Sequence, residues 1–241
     1  MIEGLTSHEF AKAVRRKPLV IIPVGSCEEH GSHLPLCTDS FQAEEVSRRV
    51  AEALDGLICP PIRYGECRST LNFPGTISLS SDTVRAIAYE ITSELARNGV
   101  DKILMISGHA GSGHMAALRE GAFKAVEECV GLKVMVLSDY EIAYDLRGKT
   151  FPENDGHAGE IETSRMLNIL PESVGSSRPI GRSRPPRFMV LRDPERHFPS
   201  GVIGDSSGAS KKKGREIDDY VVEQLCRLVA ENFGLHARRG R

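Results

Sequence analysis

Residues 17–25 read KPLVIIPVG, and residues 26–39 directly after them read SCEEHGSHLPLCTD. The first run is short, apolar and β-branched and ends in Gly, the pattern of a strand buried on both faces. The second is polar and dense in ligand-type side chains. Asp39, with Gln42 three residues on, marks a helix start. Apolar residues at 43, 46, 50, 51 and 54 continue that helix at helical spacing over 41–54. A buried strand, a polar turn and a helix in that order open a parallel α/β sheet.

The alternation continues along the chain. Residues 56–62 form a second short strand stopped by Pro60 and Pro61. A long loop rich in Ser, Thr, Gly and Asn spans 63–81, a length that in compact domains is often functional. A helix over 82–97 leads to a third strand, KILMI at 102–106, then to a Gly-rich turn at 108–113 and a helix from His114 to about 128. LKVMVL at 132–137 is a fourth strand. Residues 158–170 are helical, 171–187 are loop with four Pro, 188–191 make a strand, and 211–233 form the last helix. The reading is α/β: a mostly parallel sheet flanked by helices on both faces, in a single domain over 1–241. Sites in such folds lie beyond the carboxyl ends of the strands. Residues 26–39 and 107–114 follow the first and third strands directly.

Composition bounds the function. Of 241 residues, 40% are hydrophobic and 27% charged, the mix of a soluble globular chain. The net charge of −2 gives no reason to expect a nucleic acid or an anionic membrane as partner. The basic runs, Lys211–Lys213 and the tail Arg238, Arg239 and Arg241, read as solvated surface. The six cysteines make no C-x-x-C pair and read as reduced thiols. The first residues carry no signal pattern, and no apolar run approaches the ~20 residues that span a bilayer. A cytoplasmic protein is expected.

Three clusters carry chemistry. In 25–39, Glu28 and His30 are two apart and point the same way if extended, and Asp39 follows at the helix mouth. Carboxylate, imidazole and carboxylate suit Zn, Mn or Fe. Taken singly, Glu28 reads equally as a solvated loop residue, His30 and His33 as loop histidines and Asp39 as a helix cap. In 107–115, SGHAGSGHM, His109 lies in a turn whose glycines admit close backbone approach, with Ser112 and His114 beside it. A phosphate-cradling turn is the competing reading, although the pattern lacks both G-x-G-x-x-G and a P-loop Lys. In 155–164, DGHAGEIETS, His157 and Glu160 share a face if the helix starts near His157, with Glu162 pointing elsewhere. Acids in a first helical turn also occur for the helix dipole alone.

Together these clusters resemble the creatininase family of amide hydrolases, whose pattern is approximately G-S-x-E-x-H-G-x-H-L-P-x-x-T-D. Residues 25–39 match it at nearly every defined place, 157–164 match a later H-A-G-x-x-E-T-S block, and Gly108–His109 match a G-H turn after a strand. GVIGDSSGAS at 201–210 is similar to the family's late Gly-Asp segment. The resemblance implies an α/β fold and two divalent metal ions (Fe, Zn or Mn). Glu28, Asp39 and His109 would hold one ion; His30, Asp39 and a further Glu the other. In creatininase that Glu lies two residues after the turn His, where this chain has Gly111, so the resemblance moves the role to Glu160, with Glu162 next in line. It further implies a bridging hydroxide attacking the amide carbon, His157 as proton donor to the leaving nitrogen, and Glu162 orienting the ligands.

His33, Ser112, His114 and Arg68 are expected to contact substrate. The chain has no Trp to build creatininase's aromatic lid. The family also includes a formamide hydrolase acting on a ribosylaminopyrimidine phosphate in archaeal flavin and deazaflavin synthesis, which the 108–115 turn resembles most, and a peptidase that matures a peptide-derived redox cofactor. The expected substrate is therefore a small phosphorylated, nucleotide-like amide, with Arg63, Arg68 and Arg187 as candidate phosphate partners; creatinine and peptides are the alternatives. The family's habit implies a homo-oligomer. The reading from another class is a non-hydrolytic nucleotide- or phosphate-binding α/β protein, which would purify without stoichiometric transition metal.

Overall fold

The computed structural model describes residues 1–183 and 185–235; the basic tail Arg238, Arg239 and Arg241 lies outside the described residues. Four parallel strands make the main sheet in the order β2-β1-β3-β4. They are β1 (Val20–Val24), β2 (Leu57–Ile58), β3 (Lys102–Ser107) and β4 (Lys133–Ser138). β1 and β3 pair from Val20↔Ile103 to Val24↔Ser107, so both strands end level with each other. Five helices of two turns or more were expected after β1, and they are α2 (Thr38–Leu54), α3 (Ser81–Arg97), α4 (Ser112–Glu128), α6 (Glu160–Ile169) and α7 (Lys211–Phe233).

The sheet's central strands are buried on both faces, which is why their sequences are unbroken apolar runs. Ile21, Leu104 and Ile106 pack with Val46 and Val50 of α2 and with Ile217, Val221 and Leu225 of α7. Their neighbours Val20, Ile22, Ile103 and Met105 point the other way, onto Val84 and Ala88 of α3 and Met115 and Leu118 of α4. This is the period-two geometry of a strand with a helix layer on each side. No described helix is long and apolar enough to cross a membrane.

Four sequence expectations need correction. A helix at Ser7–Val14 (α1) went unforeseen, although Thr6 and Glu9 form a complete capping box. A short helix, α5 (Tyr140–Ala143), follows β4. Asp39 does not cap α2: Cys37 stands at the cap, and Asp39 is the second helical residue, with its carboxylate turned elsewhere. Residues 188–191 are not a strand. Phe188 has φ +65°, and it and Val190 are almost wholly exposed, so these apolar letters have no partner to pair with. The small antiparallel pair nearby is β5 (Ile180–Gly181) with β6 (Gly204–Asp205).

Two glycines bring the strand ends against α2. A Cβ on Gly25, after β1, would sit 2.5 Å from the Ser40 Cα, and one on Gly108, after β3, would sit 2.1 Å from the Asp39 carbonyl oxygen. Only Gly permits these approaches, and through them Asp39 is placed between the two strand ends.

Candidate functional site

Asp39 is the hub. Its Oδ1 faces His30 Nε2 at 3.1 Å and its Oδ2 faces His109 Nδ1 at 3.1 Å, while the Ser26 hydroxyl donates to Oδ2 at 2.7 Å. His109 Nδ1 also lies 2.7 Å from Glu28 Oε1, and His30 Nε2 lies 3.6 Å from Glu162 Oε2. Each imidazole is oriented from behind by a main-chain carbonyl. His30 Nδ1–H donates to Glu28 at 3.1 Å, and His109 Nε2–H donates to Glu66 at 2.9 Å. The nitrogen turned toward the carboxylates is thereby the one with a free lone pair in the neutral ring, the arrangement typical of metal-binding histidines. Glu28 is fixed by a hydrogen bond from the Thr70 hydroxyl.

All five of these residues are at most 7% exposed. Three carboxylates gathered out of water need compensating positive charge. In the chain alone, protons on the imidazoles supply it. Burial works against the charged His30 ring, but Asp39, Glu162 and Glu28 outweigh it and push its pKa up to about 10. His109 is likewise held well above the usual imidazole value, with burial opposed by Glu28 and Asp39. Asp39 falls well below the carboxylate range: His30 and His109 overcome its burial. Glu162 shifts upward, chiefly from burial and with Asp39 adding to it against His30 and His157.

The donor set fits divalent cations. Ligand atoms of His30, Asp39 and Glu162 lie within 4.8 Å of one another, as do those of Glu28, His30 and His157, and those of Glu28, Cys67 and His109. Carboxylate and imidazole in this mixture suit Zn, Mn or Fe. A cavity of about 210 Å³ opens over the cluster. Glu28, Asp39, His109, His157 and Glu162 line it, and Tyr144, Phe198 and Ile203 form its apolar walls. His157 reaches it from the loop before α6, its ring 4.4 Å from that of His30. Its Nε2–H donates to the Glu29 carbonyl at 2.8 Å, with the Glu29 carboxylate 3.2 Å away. Burial and His30 disfavour its charged form, yet Glu29, Glu28 and Glu162 raise its pKa to about 8.

The geometry thus brings together Glu28, His30, Asp39, His109, His157 and Glu162. It separates Glu160 from them. Glu160 pairs with Lys213 and packs against Gly208. Ala158 takes φ +52° and α6 begins only at Glu160, so His157 and Glu160 share no helical face. Two residues along an α-helix turn through about 200°, so Glu160 and Glu162 point to opposite sides and Glu162 takes the inward place.

None of the four residues expected to touch substrate lines the cavity. His33 bonds Thr163 at 2.8 Å and is kept neutral, burial and Arg178 pushing its pKa to about 4. His114 lies wholly buried between Ser107 and the Glu66 amide, its pKa driven to about 3 by burial and then by His109. Ser112 is exposed on the first turn of α4. The exposed Arg68 pairs with the buried Glu66, Arg63 pairs with Glu44, and Arg187 stacks on Phe188. Among the described residues no Arg or Lys lines the cavity. Sequence reasoning missed Ser26, Glu29, Thr70 and Cys67. Only Glu29 had a signal, as a third ligand-type residue within 28–30.

The chain is similar to known proteins along most of its length. The profile described as "Creatininase: Creatinine amidohydrolase" matches residues 3–229. Creatinine amidohydrolase of Pseudomonas putida is 29% identical over 251 residues, covering 95% of each chain. The mycofactocin precursor peptide peptidase of Mycobacterium ulcerans (strain Agy99) is 31% identical over 227 residues, covering 88% of this chain and 85% of that one. A solved creatininase mutant of Zn–Zn type superposes with a TM-score of 0.86 at 28% identity, covering 96% of this chain and 97% of that one. The likeness runs from the first helix to the last and includes the segments that build the Asp39 cluster: the chain belongs to the creatininase family.

Proposed function

We propose that this chain is a two-metal amide hydrolase in which Glu28, Asp39 and His109 hold one divalent cation and His30, Asp39 and Glu162 hold the other. The observation that carries the reading is the Asp39 carboxylate, which turns one oxygen to each imidazole. The kinship with a creatininase of Zn–Zn type supports it. When bound, such a pair supplies a hydroxide near neutral pH and positive charge for the oxyanion of the tetrahedral intermediate.

The chain's own residues do the rest. The backbone carbonyls of Glu28 and Glu66 hold the two imidazoles in the ligating tautomer. His157, braced by Glu29, stands at the cavity wall to give a proton to the leaving nitrogen. Tyr144, Phe198 and Ile203 exclude water around the amide.

Two substrate readings rest on different observations. The departures from creatininase count against creatinine and leave a formamide on a phosphorylated ribosylaminopyrimidine as one amide substrate among others. The chain has no Trp, and a Cβ on Gly111 would meet His109 Nε2 at 2.5 Å, so a Glu there would displace that ring. The exposed positions of Arg63, Arg68 and Arg187 remove the phosphate partners that the sequence suggested. A short peptide is favoured by the 31% identity to the mycofactocin precursor peptide peptidase. Metal-reconstituted protein should be assayed on the formamidopyrimidine nucleotide, creatinine and a peptide panel. Formate release supports the first substrate and peptide cleavage the second, while turnover of no amide by fully metallated protein counts against both.

A further inference from the structure

The long loop between β2 and α3 sets a thiol against the cluster. Cys67 is fully buried, and its Sγ belongs with Glu28 and His109 to a set of donor atoms all within 4.8 Å of one another. The loop backbone is pinned on both sides of it. The Cys67 N–H donates to Ser78 Oγ at 2.8 Å, and its carbonyl accepts from the Thr70 hydroxyl at 3.4 Å. That hydroxyl's one hydrogen goes chiefly to Glu28, the much shorter contact, so one side chain lies between the thiol's loop and the ligand beside it. The thiol's own contact to the Gly65 carbonyl is long, at 3.8 Å.

We propose that Cys67 Sγ is a further ligand of the cation held by Glu28, Asp39 and His109, and that it biases this half of the centre toward Zn, Fe or Co over Mn or Mg. The proposal rests on the two-metal reading above. On a tetrahedral zinc a sulfur and a nitrogen stand roughly 3.6 Å apart. The donor atoms of Glu28, Cys67 and His109, already within 4.8 Å of one another, need to close by at most about 1.2 Å. A coordinating cation deprotonates such a thiol outright: the S–H bond breaks, the proton leaves to solvent, and the sulfur pair forms the bond to the metal with no change of oxidation state. Sulfur is the soft donor in an otherwise hard-to-borderline set, which gives the preference its direction.

Cobalt(II) reports the ligand directly. Metal-free protein reconstituted with cobalt should bind about two equivalents and show a near-ultraviolet sulfur-to-cobalt charge-transfer band beside the visible d–d bands. In Cys67→Ser the charge-transfer band should vanish while cobalt content and d–d bands persist, and the preference for zinc over manganese in competition should fall at least about tenfold, a typical cost of disturbing a metal site. X-ray absorption at the zinc edge of the zinc-loaded wild-type chain should show a sulfur neighbour at about 2.3 Å, a result independent of whether the variant folds. Bound cobalt without the band, a band that survives Cys67→Ser, or a zinc edge without sulfur overturns the proposal and leaves the two-metal reading standing. Failure to bind cobalt at all overturns both.

Discussion

Exchanging Glu162 for Gln separates the two candidate carboxylates of α6 most sharply. Glu162 is 4% exposed, its Oε2 lies 3.6 Å from His30 Nε2, and it accepts the Ala158 N–H at 2.6 Å. Gln has nearly the same volume and keeps an oxygen for Ala158, so the fold at the α6 start should persist while the anionic donor is lost. Removing an outer partner of a metal ligand costs 10–100-fold in affinity. Removing the ligand itself should cost at least about 100-fold, or about 2.7 kcal/mol, at one of the two sites. Glu160→Gln loses only the bridge to Lys213, whose side chain is 36% exposed. Such pairs contribute about 0–1 kcal/mol, which for a chain of this size lowers Tm by no more than roughly 4 °C. Titration of metal-free protein against a chromophoric chelator measures both affinities. The assignment is refuted if Glu162→Gln binds two ions as tightly as the wild type, and doubly so if Glu160→Gln loses one.

Four further outcomes follow from the structure. His30 and His109 carry protons in the metal-free chain, so each cation must displace one, and apparent affinity should rise by about tenfold per pH unit between pH 6 and 8; pH-independent calorimetric titrations would contradict this. The sign for the metal-free fold is opposite. Because the folded pKa of His30 is raised to about 10, its stabilisation is full below the unfolded value near 6.5 and is lost as pH climbs through 10, which chemical denaturation of the apo form would test. His157→Gln should retain both metals and lower kcat by roughly 10²–10⁴-fold, as expected for loss of a proton donor, and unchanged kcat on an unactivated amide would remove that role. Arg165 is fully buried and bonds Asp139 at 2.6 Å and Asp218 at 2.7 Å. Arg165→Met strands two buried carboxylates, costing about 3–5 kcal/mol and, at 2–4 °C per kcal/mol, roughly 6–20 °C in Tm; a calorimetric shift under 3 °C would show that the pair is not holding α6 to α7.

What was legible in the sequence followed from strong local patterns. The unbroken apolar runs of β1 and β3 and the spacing of α2 and α7 show through because burial on both faces leaves little room for polar letters. Glu28, His30, Asp39 and His109 were legible for another reason: they sit where strands end, and the fold class says where to look. Glu160 was misplaced because the entry to α6 depends on tertiary contacts. Gly159, at the cap position, has no side chain to cap with, and Asp155 reaches forward to accept the Glu160 and Ile161 N–H groups at 2.6 and 3.1 Å. With Ala158 at positive φ, that shift turns Glu162 inward, and no spacing rule announces it. Thr70 and Cys67 meet Glu28 from 42 and 39 positions away, across a loop of no regular structure, so only the folded chain reveals them. His114 and Arg68 were misjudged because proximity in sequence to His109, or charge in a loop, does not say which way a side chain turns.

The central claim is that one carboxylate, Asp39, serves two cations. Elemental analysis of the purified wild-type chain and of Asp39→Asn, each after reconstitution and removal of free metal, tests it most directly. About two transition-metal ions per wild-type chain and fewer than about one in Asp39→Asn, with amide hydrolysis lost alongside, is the predicted result for a shared bridge. A wild-type chain that hydrolyses its amide after every ion has been stripped, or an Asp39→Asn chain that still holds both, would contradict it.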